Sequence, residues 1–319
     1  MMKALLLATL LCLTFVSRTF AYGFAGHEVI GKLAEQQLDG TRAGREVRAL
    51  LHADETLARA STWADRAKFE EKYLSAEMKD FVANNPKHNT YHYCDIPFQQ
   101  KAYRAGLTGT HDRDIVHTLE ACIRVLQQPV DNADNPLKIK KRVALMLIAH
   151  YVGDLHQPLH VGCSYVDDKD RFVDPETGAK GEPDAGANNF RLTTRTTLHG
   201  YWDTQTVKLA RDKAGREDFT AYLSKQFPAK REWKAAGAVT TWPQQWATDT
   251  LGLSKLCFEG ITLGKRFKVP WDGKQPEHFE WKVTLAPDYD AKARDIVEVQ
   301  LAKAGYRLAE LLKAVWPEK

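Results

Sequence analysis

Five histidines and three aspartates stand at spacings that suit zinc coordination: His27, Asp65, His92, His150, Asp154, His160, His199 and Asp203. Imidazole nitrogens and carboxylate oxygens are both good zinc donors, usually four to an ion, and a catalytic ion keeps one position for solvent. His150/Asp154 and His199/Asp203 are i,i+4 pairs, which places both side chains of each pair on one face of a helix. Context adds more than spacing does. His150 closes the stretch Val143 to Ala149, apolar on every face, which predicts a central buried helix. Ionisable groups seldom finish such a helix unless something pairs with them. A hydrogen-bonded His–Asp pair in the core is the bland alternative; the other His and Asp candidates, at helix starts and loop ends, argue for metal instead. His52, His88, His111, His117, His156 and His278 read as surface or structural, His156 because it lies two positions past Asp154 and points off that face.

These side chains need helices to hold them, and the chain is mostly helical in pattern. Gly26 to Leu38 carries Ile30, Leu33, Ala34 and Leu38, followed by Gly40 as a stop signal. Asp112 to Gln127 carries Ile115, Leu119, Cys122, Ile123 and Leu126 and ends before Pro129. Asn135-Pro136 predicts the start of the central helix, with proline at its first position. A C-terminal helix repeats Val297, Leu301, Ala304, Leu308, Leu311 and Val315 at steps of three and four. The polar, acidic segment 163–186 reads as a solvated hairpin or loop with a turn at Asp174-Pro-Glu-Thr-Gly178; it lacks the regular ligand spacing of a calcium loop. With no internal repeat and no low-complexity linker, residues 22–319 read as one mainly α domain.

The first residues decide the compartment. Lys3, the apolar run Ala4 to Val16 and Ser17-Arg18-Thr19-Phe20-Ala21 predict a secretory signal over residues 1–21, cleaved after Ala21. No later stretch approaches the ~20 apolar residues that span a bilayer. A secreted or periplasmic protein is expected, without a membrane contact once the signal is gone. Cys94, Cys122, Cys163 and Cys257 would remain, an even number in an oxidising compartment, which predicts two disulfides with the pairing open. Loss of Lys3 and Arg18 lowers the formal charge of +4 by two, so charge alone makes no nucleic-acid footprint.

Six motifs run in order along the chain: Tyr22-Gly-Phe-Ala-Gly-His27, Ser61-Thr-Trp-Ala-Asp65, His92-Tyr-Cys-Asp95, His150-Tyr-Val-Gly-Asp154-Leu-His-Gln-Pro-Leu-His160, Gly186-Ala-Asn188 and Leu198-His199-Gly-Tyr-Trp-Asp203. Together they resemble the zinc-dependent type I nucleases, the S1/P1 family. The resemblance implies a single mainly α-helical domain of the phospholipase C/type I nuclease fold, with three Zn2+ at the bottom of a cleft. It implies one zinc on Asp65, His92, His150 and Asp154. A second would sit on Asp154, His27 and the amino and carbonyl groups of Tyr22 as mature N-terminus, and a third on His160, His199 and Asp203. The family usually begins with Trp; Tyr22 departs from it in side chain but not in the backbone ligand atoms.

The same resemblance implies an endonuclease that hydrolyses RNA and single-stranded DNA to 5′-phosphate products, with 3′-nucleotidase activity as well. In that reading Asp65 orients the attacking water, while Lys68 and Asn188 contact phosphate. Tyr93 and Asp95 form a base pocket, with Val166 as its other wall. Three zinc ions on three aspartates would leave a local charge of about +3 for an anionic substrate. A monomer without a stable protein partner is expected. Two rival classes remain at this point: a zinc-dependent phospholipase C with a similar cluster, and a non-catalytic zinc protein. Tyr93 and Asp95 favour the nuclease over the first. Against the second, structural zinc sites fill all four positions, often with cysteine, and no Cys-x-x-Cys pair occurs here.

Overall fold

The computed structural model describes residues 22–271 and 276–318; the signal segment lies outside the described residues. The fold is mainly α. Its axis is the central helix, Lys141–Leu155, in which every residue from Val143 to Leu155 is buried. Such burial is possible because neighbours cover every side: the first helix, Gly23–Leu38, the Ile115–Gln127 and Trp242–Phe258 helices, and the long C-terminal helix, Tyr289–Val315. An all-apolar surface demands that environment. The first and C-terminal helices approach closely at Gly305, where an added Cβ would lie 2.9 Å from the Cβ of Leu33. A larger residue there would force the two backbones apart. Among the described residues no helix is long and apolar enough to cross a membrane.

The described residues also form three small sheets. Ile96–Pro97 pairs in parallel with Gly162–Cys163. Tyr165–Val166 lies between Phe172–Val173 and Glu182–Pro183, antiparallel to both. His278–Leu285 lies between Ile261–Val269, antiparallel, and Phe190–Arg191, parallel. The 163–186 segment is thus a folded three-stranded sheet, and its expected turn is present at Pro175–Thr177, ended by Gly178 with φ 84°.

Two expectations are corrected. The central helix does not open at Asn135-Pro136 but at Lys141. The Asn135 side chain takes the backbone N–H groups of Leu137 and Ile139 and donates to the Ile139 carbonyl, so this asparagine builds a turn that competes with helix. The second correction concerns sulfur. Cys94, Cys122, Cys163 and Cys257 are all buried and free. Each thiol is held in its own surroundings: Cys94 faces the Val161 carbonyl at 3.7 Å, Cys163 the Asp184 carboxylate at 3.0 Å, and Cys122 and Cys257 pack in the core.

Candidate metal centre

The last turn of the central helix presents His150 and Asp154 side by side, both fully buried. His150 Nδ1 donates to the Ser61 carbonyl at 2.7 Å, which fixes the tautomer and leaves Nε2 as a lone-pair donor. Around that nitrogen gather Asp154 Oδ2 at 3.2 Å, Asp65 Oδ1 at 3.6 Å and His92 Nδ1 at 3.2 Å. His92 Nδ1 lies 2.8 Å from Asp154 Oδ2 and 3.9 Å from Asp65 Oδ1. Zinc bonds of about 2.0–2.1 Å in a tetrahedron require ligand atoms about 3.3 Å apart. His92, His150 and Asp154 come together on this scale, with Asp65 beside the two histidines.

Asp154 also faces the other way. Its Oδ1 lies 3.1 Å from His27 Nε2, and the His27 ring stacks on His150 with centroids 3.9 Å apart. Although close, His27 Nε2 and Asp154 Oδ1 are not aligned for a hydrogen bond, and both remain without a partner. His27 comes from the first helix and rests on Gly153, where an added Cβ would stand 2.7 Å from His27 Nδ1 and 2.9 Å from Cε1. Gly153→Ala is therefore expected to push the ring aside and lower metal content by about one ion at unchanged helicity, the outer contacts of metal ligands being worth roughly 10- to 100-fold in affinity. Elemental analysis beside circular dichroism checks this; full metal content would mean the ring can move freely.

A third group lies alongside. His160 Nδ1 donates to the His92 carbonyl at 2.8 Å and His199 Nδ1 to the Gly186 carbonyl at 2.6 Å, so both rings offer Nε2. His199 Nε2 is 3.2 Å from Asp203 Oδ2, and His160 Nε2 is 3.8 Å from Asp203 Oδ1. Asp203 sits in a π-helical turn, Tyr201–Gln205, that continues the short Leu198–Gly200 helix; such local widening of a helix is frequent at functional sites.

The polar atoms in these three groups carry the case for cations. Asp65 Oδ2, His92 Nε2, Asp154 Oδ1, His160 Nε2, Asp203 Oδ2 and both His27 nitrogens are buried without hydrogen-bond partners. An unsatisfied buried group costs about 1–3 kcal/mol, so their concentration at one place is unfavourable, and ions held by one nitrogen of each ring and by the carboxylates would relieve part of that cost. His27/Asp65/His150, His92/His150/Asp154 and His160/His199/Asp203 each bring three ligand atoms within 4.8 Å. Protonation agrees in part. Burial, with Lys68 nearby, pushes His92 down to about 3, and burial with His150 also lowers His27. Burial would raise Asp154, but His150 and His160 hold it well below the usual carboxylate range. Burial would lower His150 and His199, but Asp154 with Asp65 raises the first and Asp203 raises the second, so a zinc ion would have to displace a proton from these two rings.

The residues expected to face substrate fall in different surroundings. Lys68 Nζ donates to Asp65 Oδ1 at 2.9 Å. Tyr93 and Asp95 are half-buried and follow His92 directly. Burial and Asp184 push Asp95 up to about 7, with His199 opposing, and burial with Asp95 pushes Tyr93 up to about 12. Gly109, at φ +85°, holds the chain here, since a Cβ would overlap the Asp95 carbonyl. Asn188 caps its own turn, its amide donating to the Ala185 carbonyl at 2.9 Å. Val166 is fully buried in the middle strand of the 163–186 sheet, so the other wall expected of it is not offered to a base. The remaining histidines lie outside the three groups. His156 is among them, fully buried, its Nδ1 donating to the Val152 carbonyl at 2.7 Å.

Several supporting residues had no signal in the sequence. Gln157 Nε2 donates to Asp203 Oδ1 at 2.8 Å. Asp184 holds the turn that orients His199, accepting from the Ser164 hydroxyl at 2.6 Å and from Ala187 N at 2.9 Å. The carbonyls that orient the three rings are backbone atoms, which no side-chain motif encodes.

The model of the S1/P1 Nuclease family matches residues 22–316. Endonuclease 2 of Arabidopsis thaliana is 25% identical over 311 residues, covering 92% of this chain and 90% of that protein. Endonuclease 4 of the same plant is 24% identical, covering 98% of this chain and 95% of that protein. Nuclease S1 of Aspergillus oryzae is 23% identical, covering 95% and 94%.

Proposed function

The chain belongs to the S1/P1 nuclease family, and from that premise we propose a secreted or periplasmic zinc-dependent endonuclease. It would cleave RNA and single-stranded DNA to 5′-phosphate products and also dephosphorylate 3′-nucleotides. That the protein is a nuclease, hence a phosphodiester hydrolase, follows from the family itself. What supports the metal reading best is Asp154, a buried carboxylate whose two oxygens face different histidines.

In this proposal Asp65, His92, His150 and Asp154 hold one zinc. Asp154, His27 and the amine and carbonyl of Tyr22 hold a second, and His160, His199 and Asp203 a third. When bound, zinc supplies Lewis acidity toward phosphoryl oxygens and a nucleophile at neutral pH. Asp65 would help to hold the first ion, and its buried Oδ2 would accept a hydrogen bond from the attacking water and orient it toward phosphorus. Lys68, seated against the same carboxylate, brings positive charge to the phosphoryl side. Asn188, in the turn whose Gly186 carbonyl orients His199, would contact phosphate.

Tyr93 and Asp95 would receive a base, the ring stacking and the carboxyl meeting the base edge. Stacking requires an unpaired base and is worth about 1–3 kcal/mol, which favours single strands. Tyr93→Ala is expected to lower kcat/KM on oligonucleotides by about 10- to 100-fold with metal content unchanged; unaltered kinetics would return Tyr93 to a packing role. The wider reading is tested by incubating the zinc-loaded protein with single-stranded DNA, RNA, 3′-AMP and phosphatidylcholine. Turnover of the first three is expected; hydrolysis of the lipid alone would overturn it.

A further inference from the structure

A chain of hydrogen bonds runs from a buried arginine of the C-terminal helix to the first residue described. Arg307 is 6% exposed, and its Nε donates to the Trp233 carbonyl at 2.8 Å and its Nη2 to Asp249 Oδ2 at 2.8 Å. Lys303 bonds the same carboxylate. The third guanidinium nitrogen reaches His156. With Nδ1–H committed to the Val152 carbonyl, His156 Nε2 is an acceptor, and Arg307 Nη1 donates to it at 3.1 Å. The His156 carbonyl in turn accepts two hydrogen bonds, from Gln300 Nε2 at 2.9 Å and from the Tyr22 hydroxyl at 2.7 Å. Both lone pairs of that oxygen are used.

Tyr22 needs such an anchor. Its ring is fully buried, yet its backbone is left-handed, at φ 42° and ψ 10°, a conformation that a residue with a Cβ keeps only when its surroundings impose it. Gly23 follows at φ 51°, and an added Cβ there would stand 3.5 Å from the Asp203 carbonyl. Gly26 leaves room for the ring, since its own Cβ would fall 2.6 Å from that of Tyr22. His27 is the next residue. The direction of this first turn therefore sets the Tyr22 backbone and, four residues of helix later, the His27 ring that lies against Asp154.

We infer that His156 and Arg307 are positioning residues for the N-terminal metal ligands, acting through the Tyr22 hydroxyl. This rests on the metal reading proposed above. Arg307 fixes the His156 ring, the ring and Gln300 fix the peptide at residue 156, and that carbonyl fixes Tyr22. The hydroxyl thus determines where the amine and His27 stand before an ion arrives.

The test uses protein produced from the full chain and purified as processed, in three variants: Tyr22→Phe, Arg307→Met and the two combined. Zinc is titrated in competition with a chromophoric chelator, and the melting temperature of the metal-free protein is measured alongside. Fewer than three ions in the unaltered protein would count against the metal reading rather than against the positioning role of His156 and Arg307. With three ions, Tyr22→Phe is expected to weaken one of them by about tenfold or more and to leave the other two unchanged. Arg307→Met should weaken the same ion, and the combined variant should be no weaker than the worse single change, since both break one chain of contacts. A purely structural role would lower the melting temperature of each variant and leave zinc affinity alone. Unchanged affinity in folded Tyr22→Phe, or additive losses in the combined variant, overturns the inference. If Arg307→Met does not fold, Tyr22→Phe decides alone, because it removes one oxygen and keeps the ring.

Discussion

Asp154→Asn is expected to cost the protein two of its three zinc ions and turnover by a factor on the order of 10³ or more, since removing one positioned electrostatic group at a reacting centre already costs about 10²–10³. The reasoning is geometric. One Asp154 oxygen lies 3.1 Å from His27 and the other 3.2 Å from His150, so each serves a different ligand group. An asparagine keeps one oxygen and turns an NH2 donor toward the other group, where a cation would stand. It also removes the negative charge that a buried cation pair requires. The side chain is isosteric and wholly enclosed, so folding should survive and circular dichroism should not change. Elemental analysis and single-strand turnover read the result. Three retained ions with near-normal rates would mean that Asp154 bridges nothing.

The second large effect concerns the amine of Tyr22. Protein beginning at Tyr22 is expected to turn over single-stranded DNA at least about a hundredfold faster than protein with one methionine added in front, and to hold one more zinc. The added residue converts the amine to an amide, which has no lone pair to offer a metal. The chain cannot swing aside to compensate, because the Tyr22 ring is fully buried and its hydroxyl is bonded to the His156 carbonyl. Equal metal content and equal rates in both forms would remove the N-terminus from the ligand set. Tyr22→Trp keeps the backbone ligand atoms but removes the hydroxyl, so it is expected to retain activity only if the indole N–H takes over the bond to the His156 carbonyl.

The ligand pairs were readable because a helix repeats every 3.6 residues, so His150/Asp154 and His199/Asp203 could be placed on common faces from spacing alone. The central helix was readable for a related reason: an apolar run with no polar face has nowhere to go but the interior. Its start was not. Asn135 and Pro136 carry helix-start chemistry, yet the asparagine side chain spends its hydrogen bonds on Leu137 and Ile139, and tertiary packing starts the helix at Lys141 without a side-chain cap. The Ile261–Val269 strand went unread because a register shift between Leu263 and Arg266 breaks its alternation. Cysteine parity misled in a different way, since an even count carries no information about distance. The backbone carbonyls that turn His150, His160 and His199 toward their common centres lie beyond any reading of side-chain types.

The enclosure of the central helix has a consequence for how this protein ages. Local fraying, the cheap opening by which most helix ends admit solvent, is closed to a segment buried on all sides; its amides should exchange with deuterium only when the whole molecule opens. His150 and Asp154 sit in that segment's last turn. Their separation is therefore as durable as the fold, and a chelator that strips ions from the folded protein must reach them without opening that helix. Loss of metal by backbone rearrangement and global unfolding become one event with one rate.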